Sequence, residues 1–158
     1  MEERDDRPGE PIGLDLTRTA RIVSRAFDAA LAEAGGTLPM WLILMSLKGQ
    51  RHGAQRQLAQ AVGIEAPTLT HHLNRMETAG LVTRTRDPAN RRVHRVEPTA
   101  AGEAAFQRLL TAVVGFDRHL RAGLTDREIA ALSRTLARLR ANVGAVATEA
   151  GAPDAVGG

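Results

Sequence analysis

The segment "APTLTHHLNRMETAGLVTRTRDPANRRVHRVEP", residues 66–98, changes its periodicity twice, and those changes decide the fold. Up to residue 79 its apolar residues recur at helical spacing. Ile64, Leu69, Leu73 and Met76 fall on one stripe, and Pro67, Thr68, His71, Asn74 and Arg75 fall together on the opposite side. Pro67 suits a first helical turn and Gly80 a stop. Next, "LVTRTR" (81–86) alternates apolar and polar, and "VHRVEP" (93–98) is β-branched at Val93 and Val96. Both read as short strands. Between them "DPANRR" (87–92) carries Asp-Pro and Asn turn chemistry. Upstream, a short helix over Gln55–Val62 turns inward Leu58, Ala61 and Val62, and Gly63 breaks it. Two helices about a tight turn, followed by a basic-tipped hairpin, make a winged helix-turn-helix.

The polar face of the 66–79 helix has small residues near its start and longer polar ones further along. A helix entering a major groove N-terminus first needs that gradient. Small side chains permit close approach, and His, Asn and Arg reach base edges or phosphates. A solvated face is the plain alternative. The charge pattern weighs against it: residues 83–95 hold Arg84, Arg86, Arg91, Arg92 and Arg95 against Asp87 alone, on a chain of net charge only +3. A local basic patch on a nearly neutral protein points to a polyanion. Arginine at a hairpin tip can enter a narrow minor groove, and Asp87 and Asn90 are placed to steady Arg91 or Arg92.

Other chemistries fare poorly. His71 and His72 are neighbours, so they point about 100° apart on a helix and do not share an ion easily. The remaining histidines are scattered, and no metal site is expected. There is no cysteine, which excludes disulfides, thiol catalysis and Cys-ligated zinc. No catalytic residue set and no glycine-rich phosphate loop is legible. An enzyme built on His71 or His94 would require a paired acid/base motif that is not seen. No cofactor is expected.

Around this centre the chain reads as mainly α, with the small β-wing as its only sheet. Residues 1–12 and 150–158 read as a disordered arm and tail, with a single domain over 13–149. A helix over 14–34 ends at Gly35-Gly36. A nearly all-apolar helix runs from Pro39 to about Gln50 and should be central. Thr99 reads as the N-cap of a helix over about 100–121. "TDRE" (125–128) is a capping box opening a last helix. That helix carries Ile129, Leu132, Leu136, Leu139, Val143 and Val146, spaced 3, 4, 3, 4, 3, a coiled-coil seam. Two readings stay open for the seam: packing on the first helix of the same chain, or on a second subunit. The charged start "MEERDDRPGEPIG" is no signal peptide, and the longest apolar run, "LPMWLILMSL" (38–47), is too short for a membrane span. A cytoplasmic protein without membrane partners is expected.

The order "LPMWLILMSL" followed by "RQLAQAVGIEAPTLTHHLNRMETAGLVTRTRDPANRRVHRVEPTAAGE" resembles the MarR family of bacterial winged helix-turn-helix transcription regulators. The likeness extends more loosely over residues 14–146. It implies a homodimer joined through the terminal helices (14–34 and 100–147), with the winged helix-turn-helix at about 38–98, bound to a pseudo-palindromic operator in double-stranded DNA. It also implies that Pro67, Thr68, Thr70, His71 and Arg75 lie at the major groove. Arg91 would then enter the minor groove with Arg92 or Asp87 in support. Asn74 and Arg86 join them as DNA-binding candidates from the helix face and the basic strand. His71 stands where some relatives carry Arg, and Asn90 where Asp is usual. The resemblance also implies that a small aromatic acid or lipophilic compound, bound between the dimer helices and the DNA-binding lobe, can release the DNA. A small-molecule effector here would meet Met40, Trp41 and Met45 as an apolar lining and Arg21 or Arg25 as the carboxylate partner; Trp and Met as ordinary core is the competing reading. The expectation is a sequence-specific regulator, a repressor rather than an enzyme. A ligand-independent regulator and a winged-helix protein-interaction module are the alternatives.

Overall fold

The computed structural model describes residues 11–49, 53–86, 88 and 94–150. Among the described residues, six helices and three strands follow in the order α1 (Ile12–Glu33), α2 (Leu38–Gly49), β1 (Gly53–Ala54), α3 (Gln55–Val62), α4 (Ala66–Thr78), β2 (Val82–Arg86), β3 (His94–Pro98), α5 (Ala100–Leu120) and α6 (Asp126–Ala150). The fold is mainly α with one small sheet, as the periodicity implies. The expected disordered arm and tail fall largely outside the described residues. Within them, Ile12 already begins α1 and Ala150 still belongs to α6.

The chain divides into two compact units, residues 1–116 and 117–158. The core of the first is one cluster drawn from every helix it contains: Leu31 of α1, Ile43 and Leu44 of α2, Leu58 of α3, Leu69 and Leu73 of α4, and Leu109 of α5, with Val82 and Val96 from the sheet. The α2 helix contributes Trp41 and Leu47 as well, which is why its sequence is apolar nearly all round. Trp41 stacks on Phe106, with centroids 5.5 Å apart and planes 8° from parallel. Scarcity of aromatics leaves a core of aliphatic side chains fixed by shape.

The sheet differs from the two-strand expectation. It has three strands in the order β1-β3-β2, all antiparallel. The extra strand is only Gly53–Ala54, paired with Val96 and Arg95. Two residues are too few to show period-2 alternation, so this strand leaves no periodic signal in the sequence. In β2, Val82 is buried while Thr83 is exposed, and the register sets Arg84 opposite Val96. Arg84 therefore shares the inward face with Val82.

Helix ends follow the local code. Thr99 caps α5: its Oγ accepts from the Gly102 N–H at 3.0 Å and donates to the Gly80 carbonyl at 2.6 Å. The Thr99 N–H bonds the Leu81 carbonyl at 3.0 Å. This knot joins the end of α4 to the start of α5. Gly80 has φ +70°, which a side chain would resist. Gly102 lies so close to the knot that a Cβ there would sit 2.0 Å from the Leu81 carbonyl oxygen.

In the second unit the capping box forms as expected. The Thr125 N–H donates to Glu128 Oε2 at 2.7 Å, and the Glu128 N–H to Thr125 Oγ at 3.3 Å. The Thr125 backbone bond, then its hydroxyl, hold the Glu128 carboxyl below its ordinary value of 4.5. A depressed folded-state value stabilises the helix start above pH 4.5 and loses that effect as pH falls through the lower value. Acidification below 4.5 is thus expected to fray α6, read as lost far-ultraviolet helicity, and Glu128→Ala to remove that step of the titration.

Candidate nucleic-acid interface

The α3–α4 pair is set by its turn. Gly63 adopts φ +72°, and the Gly63 and Ile64 N–H groups close on the Ala59 carbonyl at 2.9 and 3.2 Å. Glu65 then enters α4 extended (φ −67°, ψ 148°), and Pro67 sits in the first turn. Leu69, Leu73 and Met76 are buried. Burial of that stripe leaves Pro67, Thr68, His71, Asn74 and Arg75 exposed on one face, the set that the helical wheel selects. The rings of His71 and His72 are 5.8 Å apart and meet edge to face.

Thr70 has a different setting from the rest. Its hydroxyl donates to the Ala66 carbonyl at 2.9 Å and accepts from Gln55 Nε2 at 2.7 Å. The half-buried Thr70 thus ties α3 to α4, and Gln55 is a positioning residue that helical periodicity alone does not single out. His72 lines a cavity with Thr37, Pro39 and Met40 at the start of α2. Arg86 is exposed at the end of β2. Asp87, Asn90, Arg91 and Arg92, the wing-tip candidates, lie outside the described residues.

Arg84 belongs to the basic cluster by sequence but is turned toward α4. Its Nε donates to Glu77 Oε2 at 3.0 Å, and its Nη2 donates both to that carboxylate and, at 2.6 Å, to Asn74 Oδ1. The signal was present in the alternation of β2, which puts Arg84 on the face of Val82, but its partners lie seven and ten residues back.

Among the described residues, the five effector candidates have different surroundings. Arg21 and Arg25 line a shallow groove along α1 itself, with Leu16, Ala20 and Asp28. Met40 lines the cavity of about 360 Å³ that also holds His72, Arg75 and Met76. Trp41 is core, 7 % exposed, because its ring fills the space against Phe106. Met45 is 43 % exposed.

A buried stripe, a polar face presented by a short turn, and an adjoining basic hairpin define a winged helix-turn-helix of the transcription-regulator class. Residues 37–94 match the sequence model of the MarR family. The fold matches a structure of the transcriptional repressor CouR bound to a 23-mer DNA duplex. That match has a TM-score of 0.77 and 27 % identity, and spans 89 % of this chain and 99 % of CouR. A probable transcriptional regulator from Pseudomonas aeruginosa matches with a TM-score of 0.72 and 28 % identity, over 84 % of this chain and 99 % of that one. The PcaV regulator of Streptomyces coelicolor, solved with its natural ligand, shares the fold at a TM-score of 0.72 and 20 % identity, over 85 % and 97 %. The chain thus carries a segment, residues 37–94, that matches the MarR family model, on a fold shared with solved transcriptional regulators.

Proposed function

We propose that this protein is a cytoplasmic, sequence-specific repressor that binds a pseudo-palindromic operator as a homodimer and is released by a small aromatic acid. The observation that carries the reading is the exposed α4 face, Pro67, Thr68, His71, Asn74 and Arg75, beside a basic hairpin. CouR, which shares the fold along nearly its whole length, was solved on DNA, and that supports the same use here. In this reading α4 enters the major groove, the wing arginines approach the minor groove, and Thr70 and Gln55 hold the helix at its angle.

Dimerisation is supported by apolar side chains left in water. Ile12, Leu14 and Ile22 of α1 are 66, 51 and 68 % exposed, and Leu132 and Val143 of α6 are 52 and 70 % exposed. Side chains of that size on two terminal helices suit burial against a second copy. Two recognition helices would then meet successive major grooves about 34 Å apart. Selection from random duplexes tests this: a two-fold symmetric motif with half-sites about one turn apart is expected. Enrichment of nothing would favour a protein-interaction module.

For release, the cavity between α2 and α4 offers Pro39, Met40 and Met76 to an apolar ring and His72 and Arg75 to a carboxylate. A carboxylate on Arg75 competes with DNA for the same guanidinium. Benzoate or a hydroxybenzoate at millimolar concentration is expected to weaken operator binding several-fold in an anisotropy titration. Met40→Trp, which fills the cavity, is expected to abolish that response. An indifferent titration would favour the ligand-independent regulator.

A further inference from the structure

We infer that Arg84 acts through Asn74: it holds the Asn74 amide so that only the NH2 group faces outward, making Asn74 a dedicated hydrogen-bond donor to DNA. This rests on the DNA-binding reading above and adds what α4 recognises at one position.

A guanidinium has donors and no acceptor, so the atom of Asn74 that it meets at 2.6 Å is the amide oxygen. The bond is charge-assisted, hence stronger than a neutral one, and it polarises the amide toward donation. Arg84 is itself fixed. Its side chain is 21 % exposed, its strand position is paired with the buried Val96, and Glu77 takes both Nε and Nη2. Asn74, by contrast, is exposed and lines an open cleft with His71, Arg75 and Thr78. The oxygen is turned to the protein, and the NH2 is what Asn74 presents to that cleft.

This matters because an unconstrained Asn on a recognition helix reads adenine with both ends of its amide, accepting from N6 and donating to N7. With its oxygen committed, Asn74 loses the adenine code. It selects an acceptor instead. Two sources share that chemistry: a base edge, with guanine O6 and N7 the richest, or a phosphate oxygen.

The test is a double-mutant cycle on the full-length protein, with the duplex selected by wild type as probe. Asn74→Ala is expected to weaken binding about tenfold, the scale of one good contact. Arg84→Lys keeps a cation for Glu77 but cannot bridge to Asn74 in the same way, and it should weaken binding by a similar factor. In the double variant the losses should not multiply: Arg84→Lys should cost almost nothing once Asn74 is Ala. Thermal melts of each variant separate this from unfolding, because a positioning role predicts lost affinity at an unchanged midpoint. Repeating the selection distinguishes the sources. A preference for G·C that vanishes at one pair in Asn74→Ala marks a base edge, and uniform weakening with an unchanged motif marks a phosphate. Losses that multiply, or an Arg84→Lys protein that binds like wild type, would overturn the inference while leaving DNA binding intact. A wild type that selects no duplex would overturn the functional reading beneath it.

Discussion

Arg75→Glu is expected to abolish specific DNA binding, with a loss of about 100-fold or more, and to leave the fold untouched. Arg75 is exposed on the α4 face, one residue before the buried Met76, so its replacement removes no core contact. Removing one arginine contact to DNA costs about 1–3 kcal/mol. Reversing the charge adds repulsion from the phosphates, so the total should lie near or above the top of that range. Anisotropy with the selected duplex reads the loss, and a thermal melt within about 2 °C of wild type shows that the fold survives. Because Arg75 also lines the cavity with His72 and Met40, Arg75→Lys is the informative partner. It should retain most phosphate attraction yet blunt the response to a carboxylate, since lysine lacks the planar fork that holds both carboxylate oxygens.

Gly102→Ala is the substitution expected to damage the fold most for its size. The added Cβ would lie 2.0 Å from the Leu81 carbonyl oxygen and 3.0 Å from its carbon. The obstacle is backbone, so no rotamer change relieves it. Either the first turn of α5 moves outward, or the Thr99 N–H loses the Leu81 carbonyl that it holds at 3.0 Å. Both routes open the knot that seats α5 against the end of α4. Overpacking of this kind costs about 1–3 kcal/mol or more, and the lost cap and backbone bond add about 1 kcal/mol each. A fall in melting midpoint of roughly 10 °C is expected for a chain of this length. Gly115→Ala in the same helix, where a Cβ meets nothing within 4 Å, should be neutral or slightly stabilising.

Much of this fold is legible in the sequence because its decisive signals are local. The 3.6-residue stripe of Leu69, Leu73 and Met76, the Thr99 cap and the Thr125–Glu128 box each lie within a few residues of what they determine. What was illegible depends on distant partners. Gly102 looks like any glycine in a first turn until Leu81 is brought against it. Gln55 meets Thr70 across 15 residues, and β1 exists only because β3 offers it a ladder. Trp41 shows the same limit from the other side. Its composition suits a ligand pocket, but Phe106, 65 residues on, claims the ring for the core. For the site, the exposed face of α4 was readable from the wheel, whereas the inward turn of Arg84 was hidden within a count of basic residues. Charge clusters in sequence do not reveal which arginines are exposed and which are turned toward a neighbouring helix.

The proposed function requires that the α4 face and its wing bind duplex DNA specifically. Its most direct measurement is equilibrium anisotropy of the wild-type protein on the selected duplex and on a scrambled duplex of equal length, from low to moderate salt. A preference of at least about 10³-fold is expected at moderate salt, with a steep linear fall of log affinity with log salt from the phosphate contacts. Equal affinity for both duplexes at moderate salt would contradict it.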